Sequence, residues 1–437
     1  MRTPTILLAS LTVASATVSS AQQAANSVST SLTAVTRFHE AGTLRDSGRL
    51  TEAAEAYRDA ALAAKAIRVD AYYRAAAAFG RSGDPDRASL ALIDALQVGY
   101  RDADELLHDE DLAALHGRTE WRRLVAKAGE NDRRFRRAHS DPARARFITQ
   151  DIGRLHRLLP LPAGDSAQLQ RAAIIATDYL GAGSDGLIAF HALGKIQNAG
   201  VLAGTIAALP GFYGSLNTIE VALAAQTTAL RAAFARFARL VPGAYFPDVY
   251  FVVGHFRSGG TSTPIGLLIG TEIYGRTPGV ALDEIPAGSR GMVEPMSQVA
   301  GVVIHELVHF HQSGGGASPT LLRATIVEGS ADFIAHLVFP EMPEPAYRAW
   351  GRLHDEAVKA RFAAEMRGLD ISNWIANNDR ETAEWPAALG YYVGYRIAEG
   401  YYRRAQDKTL AIRHLLRLAD PEAILSQSGY LTSPQMR

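Results

Sequence analysis

Cysteine is absent from all 437 residues. Its absence excludes a disulfide scaffold, a thiolate-ligated zinc or iron–sulfur site and a cysteine nucleophile. An excess of charge is missing too, since 45 lysines and arginines face 45 aspartates and glutamates. A neutral chain has no field to draw it onto nucleic acid or an anionic membrane, so neither is expected as a partner. After the first twenty residues no run of 18 apolar residues occurs, and no transmembrane segment is expected in the mature chain. What is there is ordinary globular material, 47% hydrophobic and 21% charged, enough for two or three domains.

The first 21 residues read as a signal peptide. Arg2 precedes an apolar stretch from Ile6 to Val18, and Ser19-Ser20-Ala21 supplies the small side chains of a cleavage site. The expectation is an exported protein of a bacterial periplasm or exterior. The next segment, 30–130, repeats itself: Ala41, Leu44, Gly48, Ala53, Ala56 and Ala60 return 35 residues later as Ala76, Phe79, Gly83, Ala88, Ala91 and Ala95. That pattern resembles tetratricopeptide helix–turn–helix repeats, with Leu106 to Leu124 as a capping segment. Its functional reading is a groove for a protein partner; its plainer reading is a helical module packed on the rest of the chain. Asn131 to Arg146 then reads as a basic, helix-compatible linker with a solvated face.

From Phe147 to Leu240 the apolar spacing is helical, broken at Pro160-Leu161-Pro162, at Gly181 to Gly186 and at Pro210-Gly211. Val249–Val253 and Gly266–Tyr274 read as two strands joined by the glycine-rich turn between them. Helices follow over Met296–Gln312, Leu321–Val338, Glu344–Arg367, Ala387–Gln406 and Thr409–Arg417. The fold class is therefore α+β and predominantly helical, with a domain over 147–437 behind a small sheet.

One segment carries chemistry. In Val302-Val303-Ile304-His305-Glu306-Leu307-Val308-His309, a helix places His305 and His309 one turn apart on one face, where both imidazoles reach one metal ion. Glu306 lies about 100° round the helix and can serve a water without occupying a ligand position. A catalytic zinc needs a third protein ligand. The metzincin pattern would require Gly and His where Gln312 and Gly315 stand, which excludes it. Glu328 follows His309 by 19 residues, room for a loop through Ser313 to Pro319 and a returning helix, and is the natural third ligand. Asp332, one turn later, can accept the free N–H of a liganding histidine. His311 lies on the wrong side of its helix for a ligand and reads as a pocket wall or surface residue. His336 also lacks ligand spacing.

His-Glu-x-x-His followed by Glu, with Asp four residues further on, resembles the gluzincin, thermolysin-like metallopeptidases. Within that group the Glu328-Gly329-Ser330-Ala331-Asp332 string is similar to a family of secreted zinc-dependent proteases of bacteria in which tetratricopeptide-like repeats also occur. Phe147-Ile148-Thr149-Gln150-Asp151-Ile152, Gly183-Ser184-Asp185-Gly186-Leu187 and Gly390 to Tyr395 fit the same family. The resemblance implies a substrate-pairing edge strand, for which Gly266–Tyr274 is the candidate. It also implies a hydroxyl or imidazole that stabilises the oxyanion. Tyr391, Tyr392 and Tyr395 are the candidates, and Tyr391 is the choice. The expected function is a zinc metallopeptidase acting on a peptide or protein substrate, with Glu306 as general base. The competing expectation is a periplasmic binding or scaffold protein in which zinc is structural or vestigial.

Overall fold

The computed structural model describes residues 28–313, 320–377, 380–418 and 420–432. The signal-peptide reading of 1–21 and most of the loop expected from Ser313 to Pro319 lie outside the described residues. Over the rest, the molecule is mostly helical with one four-stranded mixed sheet.

The N-terminal layer is built from two helical hairpins, 28–46 with Leu50–Ala63 and Arg68–Arg81 with Pro85–Gln97. Ala41, Ala53, Ala60, Ala76, Ala88 and Ala95 are all fully buried. Side chains this small let paired backbones approach closely, which is why the same alanines recur at the sequence period. Asp84 accepts the Arg87 N–H ahead of Pro85, so the last of these helices is capped at its first turn. Two short turns, Ala103–His108 and Glu110–Leu115, then bury Leu106, Leu112 and Leu115 against the layer.

The basic stretch is helical over its first half, as its composition allows. Helix Trp121–Ala138 ends within it, and the buried Asn131 amide donates to the carbonyls of Leu96 and Tyr100. Its arginines Arg133, Arg134 and Arg137 do face solvent. The layer is continuous with the rest of the molecule, since Ile188 and Ala192 complete its hydrophobic core.

The sheet corrects two expectations. Its order is β1 (Phe147–Ile148), β2 (Val249–Val252), β4 (Gly266–Gly270) and β3 (Gly260–Thr263). β1 pairs with β2, and β2 with β4, in parallel; only β3 and β4 are antiparallel. The glycine-rich stretch expected to be a turn is thus a strand, and the hairpin is β3–β4, closed by Pro264-Ile265. Residues Thr271–Tyr274, expected to extend the second strand, form a 3-10 turn. The reason is burial. β2 and β4 are covered on both faces and read as continuous apolar runs, which hide the direction of pairing. β3, half-exposed and made of Gly, Thr and Ser, has no apolar alternation to announce it. The edge strand beside the histidine helix is therefore Gly260–Thr263, with β1 at the opposite edge, and Gly266–Gly270 is interior.

Two of the three strings quoted outside the histidine motif join up in space. Asp151 accepts both the N–H and the O–H of Ser184, and Ser184 in turn caps helix Asp185–Ala192. The remaining helices follow the expected order, with Leu321–Val338 at its expected bounds. Glu344–Arg367 is instead two helices, Ala346–Leu353 and Asp355–Glu365, broken at His354. A last helix, Pro421–Ser428, capped by Asp420, was not expected.

Candidate metal centre

Helix Val299–His311 buries Val299, Val303, Ile304, Leu307 and Val308 in the core, which fixes the face that carries His305 and His309. Their Nε2 atoms stand 2.9 Å apart. Both Nδ1 atoms are already committed: His305 Nδ1–H donates to Asp332 at 2.8 Å, and His309 Nδ1–H donates to the Gln312 side-chain oxygen at 2.7 Å. Neutral with the proton on Nδ1, each ring turns an Nε2 lone pair to the same point; protonated, the same Nε2 atoms donate to Glu328, so metal and proton compete for them.

Glu328 completes that point from helix Leu321–Val338. Its Oε2 lies 3.5 Å from His305 Nε2 and 3.2 Å from His309 Nε2. Ligands at about 2.0–2.1 Å from a tetrahedral ion stand about 3.3 Å from one another, so the spacing of the three donors fits a small divalent ion. His305, His309 and Glu328 are the single group of this kind among the described residues. The donor set fits a metal ion; two imidazoles and a carboxylate suit zinc and leave the choice among divalent transition metals open to geometry and supply.

Charge supports the assignment. Burial raises the Glu328 carboxyl, but hydrogen bonds from His305 and His309 outweigh it and hold the group ionised well below the usual carboxylate range. Burial alone would lower His305, yet its bonds to Asp332 and Glu328 raise it well above an ordinary histidine. The site concentrates negative charge around two imidazoles, as a cation site must.

Asp332, on the same helix as Glu328, bonds a histidine and does not join the three donors. Two partners of the centre had no sequence signal. Gln312, met in the sequence only as the residue that breaks the metzincin pattern, orients His309 and is itself fixed by donating to the Val327 carbonyl at 2.9 Å. Tyr347 donates its hydroxyl to Asp332 Oδ2. Its helix, Ala346–Leu353, lies far along the chain and no spacing rule links the two.

Glu306 is not one of the three donors. It is buried against the edge strand, and a Cβ at Gly260 would come within 2.6 Å of its Oε1. Burial pushes its carboxyl up, with His305 and His309 pulling the other way. A partly desolvated carboxylate of raised pKa beside a cation site has the properties of a general base.

The three tyrosines of helix Leu389–Arg404 have separate surroundings. Tyr391 stacks 6.2 Å from the His305 ring, and burial with the nearby Glu328 and Asp332 carboxylates pushes its hydroxyl well above an ordinary tyrosine. Tyr392 is fully buried and donates to Asp355 at 2.6 Å. Tyr395 packs against Phe333 beneath Arg348. Of the other histidines, His311 lines a cleft while its ring accepts the Tyr245 N–H, and His336 sits 6.0 Å from the Tyr395 ring, away from the donors.

The Glu328 and Tyr391 helices cross at a glycine contact. A Cβ on Gly329 would fall on the backbone of Gly394, and one on Gly394 on the Thr325 carbonyl. That crossing packs the helix of Tyr391 against the helix of Glu328. Comparison of the chain with protein families, with curated proteins and with solved structures finds no match in any of the three.

Proposed function

We propose that this chain is an exported zinc metallopeptidase of the gluzincin kind, carrying tetratricopeptide-like repeats ahead of its catalytic domain. The observation that carries the reading is the convergence of His305, His309 and Glu328 with Glu306 left free beside a sheet edge. A closed structural site has no use for a buried carboxylate in that position.

Bound zinc supplies a Lewis acid and a water of near-neutral pKa. The chain's own residues do the rest. The free side of β3 pairs with an extended peptide and brings its carbonyl beside Glu306. Glu306 takes the proton of the attacking water and later hands it to the leaving amine nitrogen. Tyr391 donates its hydroxyl to the developing oxyanion. Asp332 and Gln312 keep both histidines in the tautomer that binds metal.

The test is metal analysis of the purified protein beside Glu306→Gln, each assayed on a general peptide library. One zinc in both, with the variant's rate down by about 10²–10⁴-fold, is the expected outcome. Equal activity in the two proteins removes Glu306 as the base. A metal-loaded parent that cuts no peptide overturns the peptidase reading.

A further inference from the structure

A cleft of about 720 Å³ opens beside His309. Asp102, Asp104 and Gly129 line it from the repeat layer, and Thr409 and Arg413 from helix Lys408–Arg417. Ser262, Thr263 and Pro264, the far half of the edge strand and its turn, line it as well. A second hollow of about 520 Å³ shares Val69, Tyr100, Glu105 and Pro264 with the first and continues it over the face of the repeats.

The contact that joins these parts is specific. Arg101, just after the second repeat, packs over Phe135 at 3.9 Å and lies 5.2 Å from the Phe310 ring. Its guanidinium donates to the Pro264 carbonyl at 3.1 Å. One side chain of the repeat layer thus holds the end of the edge strand and touches the helix that carries both histidines. A cation clasped between two rings and a carbonyl is a fixed tie.

We infer that the repeats form one wall of the substrate cleft and hold the stretch of an extended polypeptide that runs on past Pro264. This rests on the peptidase reading and names its substrate class: a long, unfolded segment of protein chain, cut internally. Glu306 faces Gly260, and Pro264 is four residues further along. At about 3.3 Å per residue that is roughly 13 Å. A peptide paired with β3 therefore enters the cleft only if it extends about four residues from the scissile bond on that side. The cleft offers carboxylates and guanidinium groups together on the repeat wall and guanidinium on the other, so it grips backbone and mixed side chains without selecting one charge.

The experiment is a series of fluorogenic peptides lengthened one residue at a time from either end. It is run on the metal-loaded wild type and on Gly129→Trp and Thr409→Trp, which fill the cleft from opposite walls. Gly129 has only the end of Arg133 near a new Cβ, so the helix keeps its place. Expected is a rise in kcat/KM of about tenfold once one end, and only one, passes the fourth residue, because remote binding is spent at the reacting bond. Both variants should lose that rise while keeping the wild-type rate on short peptides and a full equivalent of metal. Short peptides cut well, with no gain from length or an equal gain at both ends, overturn the inference and leave the peptidase reading standing. If no peptide of any length is cut, both fall.

Discussion

Gly48 and Gly83 close the turns of the two repeats with φ of +80° and +81°, and an added Cβ at either would meet open space. Gly329 and Gly394, beside the metal centre, sit within helices, and an added Cβ at either would fall on backbone. The repeats need a glycine for the dihedral it permits; the centre needs it for the atom it lacks. Stability in the repeat layer is therefore local and restated every 35 residues. In the metal half it depends on one crossing of distant segments, which also sets where Glu328 and Tyr391 stand. The same contrast holds for charge. Repeat carboxylates such as Glu55 and Asp84 pair with Arg87 near the surface, whereas the metal half encloses Glu272, Glu306 and Asp332.

The sharpest test of that contrast is Gly394→Ala. The new methyl meets the Thr325 carbonyl, which no rotamer change can move. Overpacking typically costs about 1–3 kcal/mol, and a backbone collision belongs at or above the upper end. The variant should unfold at clearly lower denaturant and also bind zinc more weakly, because Glu328 is one residue from the contact. Denaturant midpoints and a zinc titration measure the two effects. A stable variant with normal zinc affinity would show that the crossing does not set the ligand.

The next largest effect concerns Glu272, a fully buried carboxyl at the end of β4. Its Oε1 accepts the Phe256 N–H at 3.1 Å, which holds Phe256 at a φ of 62° in the loop leading to the edge strand. Its Oε2 has no partner. Burial pushes this carboxyl up to about 7 from an ordinary 4.5. The native state therefore holds the proton more tightly than the unfolded chain. The stability contributed by this one group is full below about pH 4.5, falls as pH rises towards 7, and stays lost above it. At about 1.4 kcal/mol per pH unit, the loss is at most on the order of 3 kcal/mol. Glu272→Gln removes the titration and keeps the oxygen that accepts Phe256. Its stability relative to wild type should improve between pH 5 and pH 8. A gap that is the same at both pH values would mean that Glu272 is not a buried neutral acid.

Asp332→Asn comes third. It keeps an acceptor for His305 Nδ1–H but removes the charge that makes the imidazole a stronger ligand, and it offers Tyr347 a donor where an acceptor stood. Such outer partners contribute about 10–100-fold in metal affinity or activity. The variant should fold, bind one zinc with weakened affinity and lose activity within that range. Complete loss of zinc with normal folding would make Asp332 a direct ligand; unchanged affinity would make it a bystander.

Which of these features the sequence disclosed follows from how local each one is. The repeats were legible because alanine and glycine recur at a fixed period. His305, His309, Glu328 and Asp332 were legible because one helical turn leaves a spacing of four. The order of the sheet was not, since strands buried on both faces carry no alternation and the Gly-Thr-Ser-Thr edge resembles a turn. The break at His354 has neither Pro nor Gly to mark it. Gln312 and Tyr347 belong to the centre through tertiary contact alone. Asp420-Pro421, by contrast, is an ordinary helix start that a closer reading for caps finds.

The smallest effect is the one that completes the comparison. Gly83→Ala puts a methyl into open space, so nothing collides; the cost is only that of holding an L-residue at a φ of +81°. For alanine that penalty is about 1–2 kcal/mol at most, and part of it is regained because alanine also restricts the unfolded chain by about 0.4–1 kcal/mol. A net loss of about 1 kcal/mol is expected, read from denaturant midpoints, with zinc affinity and short-peptide cleavage unchanged. Gly48→Ala should match it within experimental error, because the two turns share their dihedral and their empty surroundings. The turn lies at the end of a hairpin whose helices bury their alanines regardless, so the strain has no route to Glu328. If Gly83→Ala instead weakens zinc binding as Gly394→Ala does, the two halves are not independent in stability, and the local account of the repeats fails.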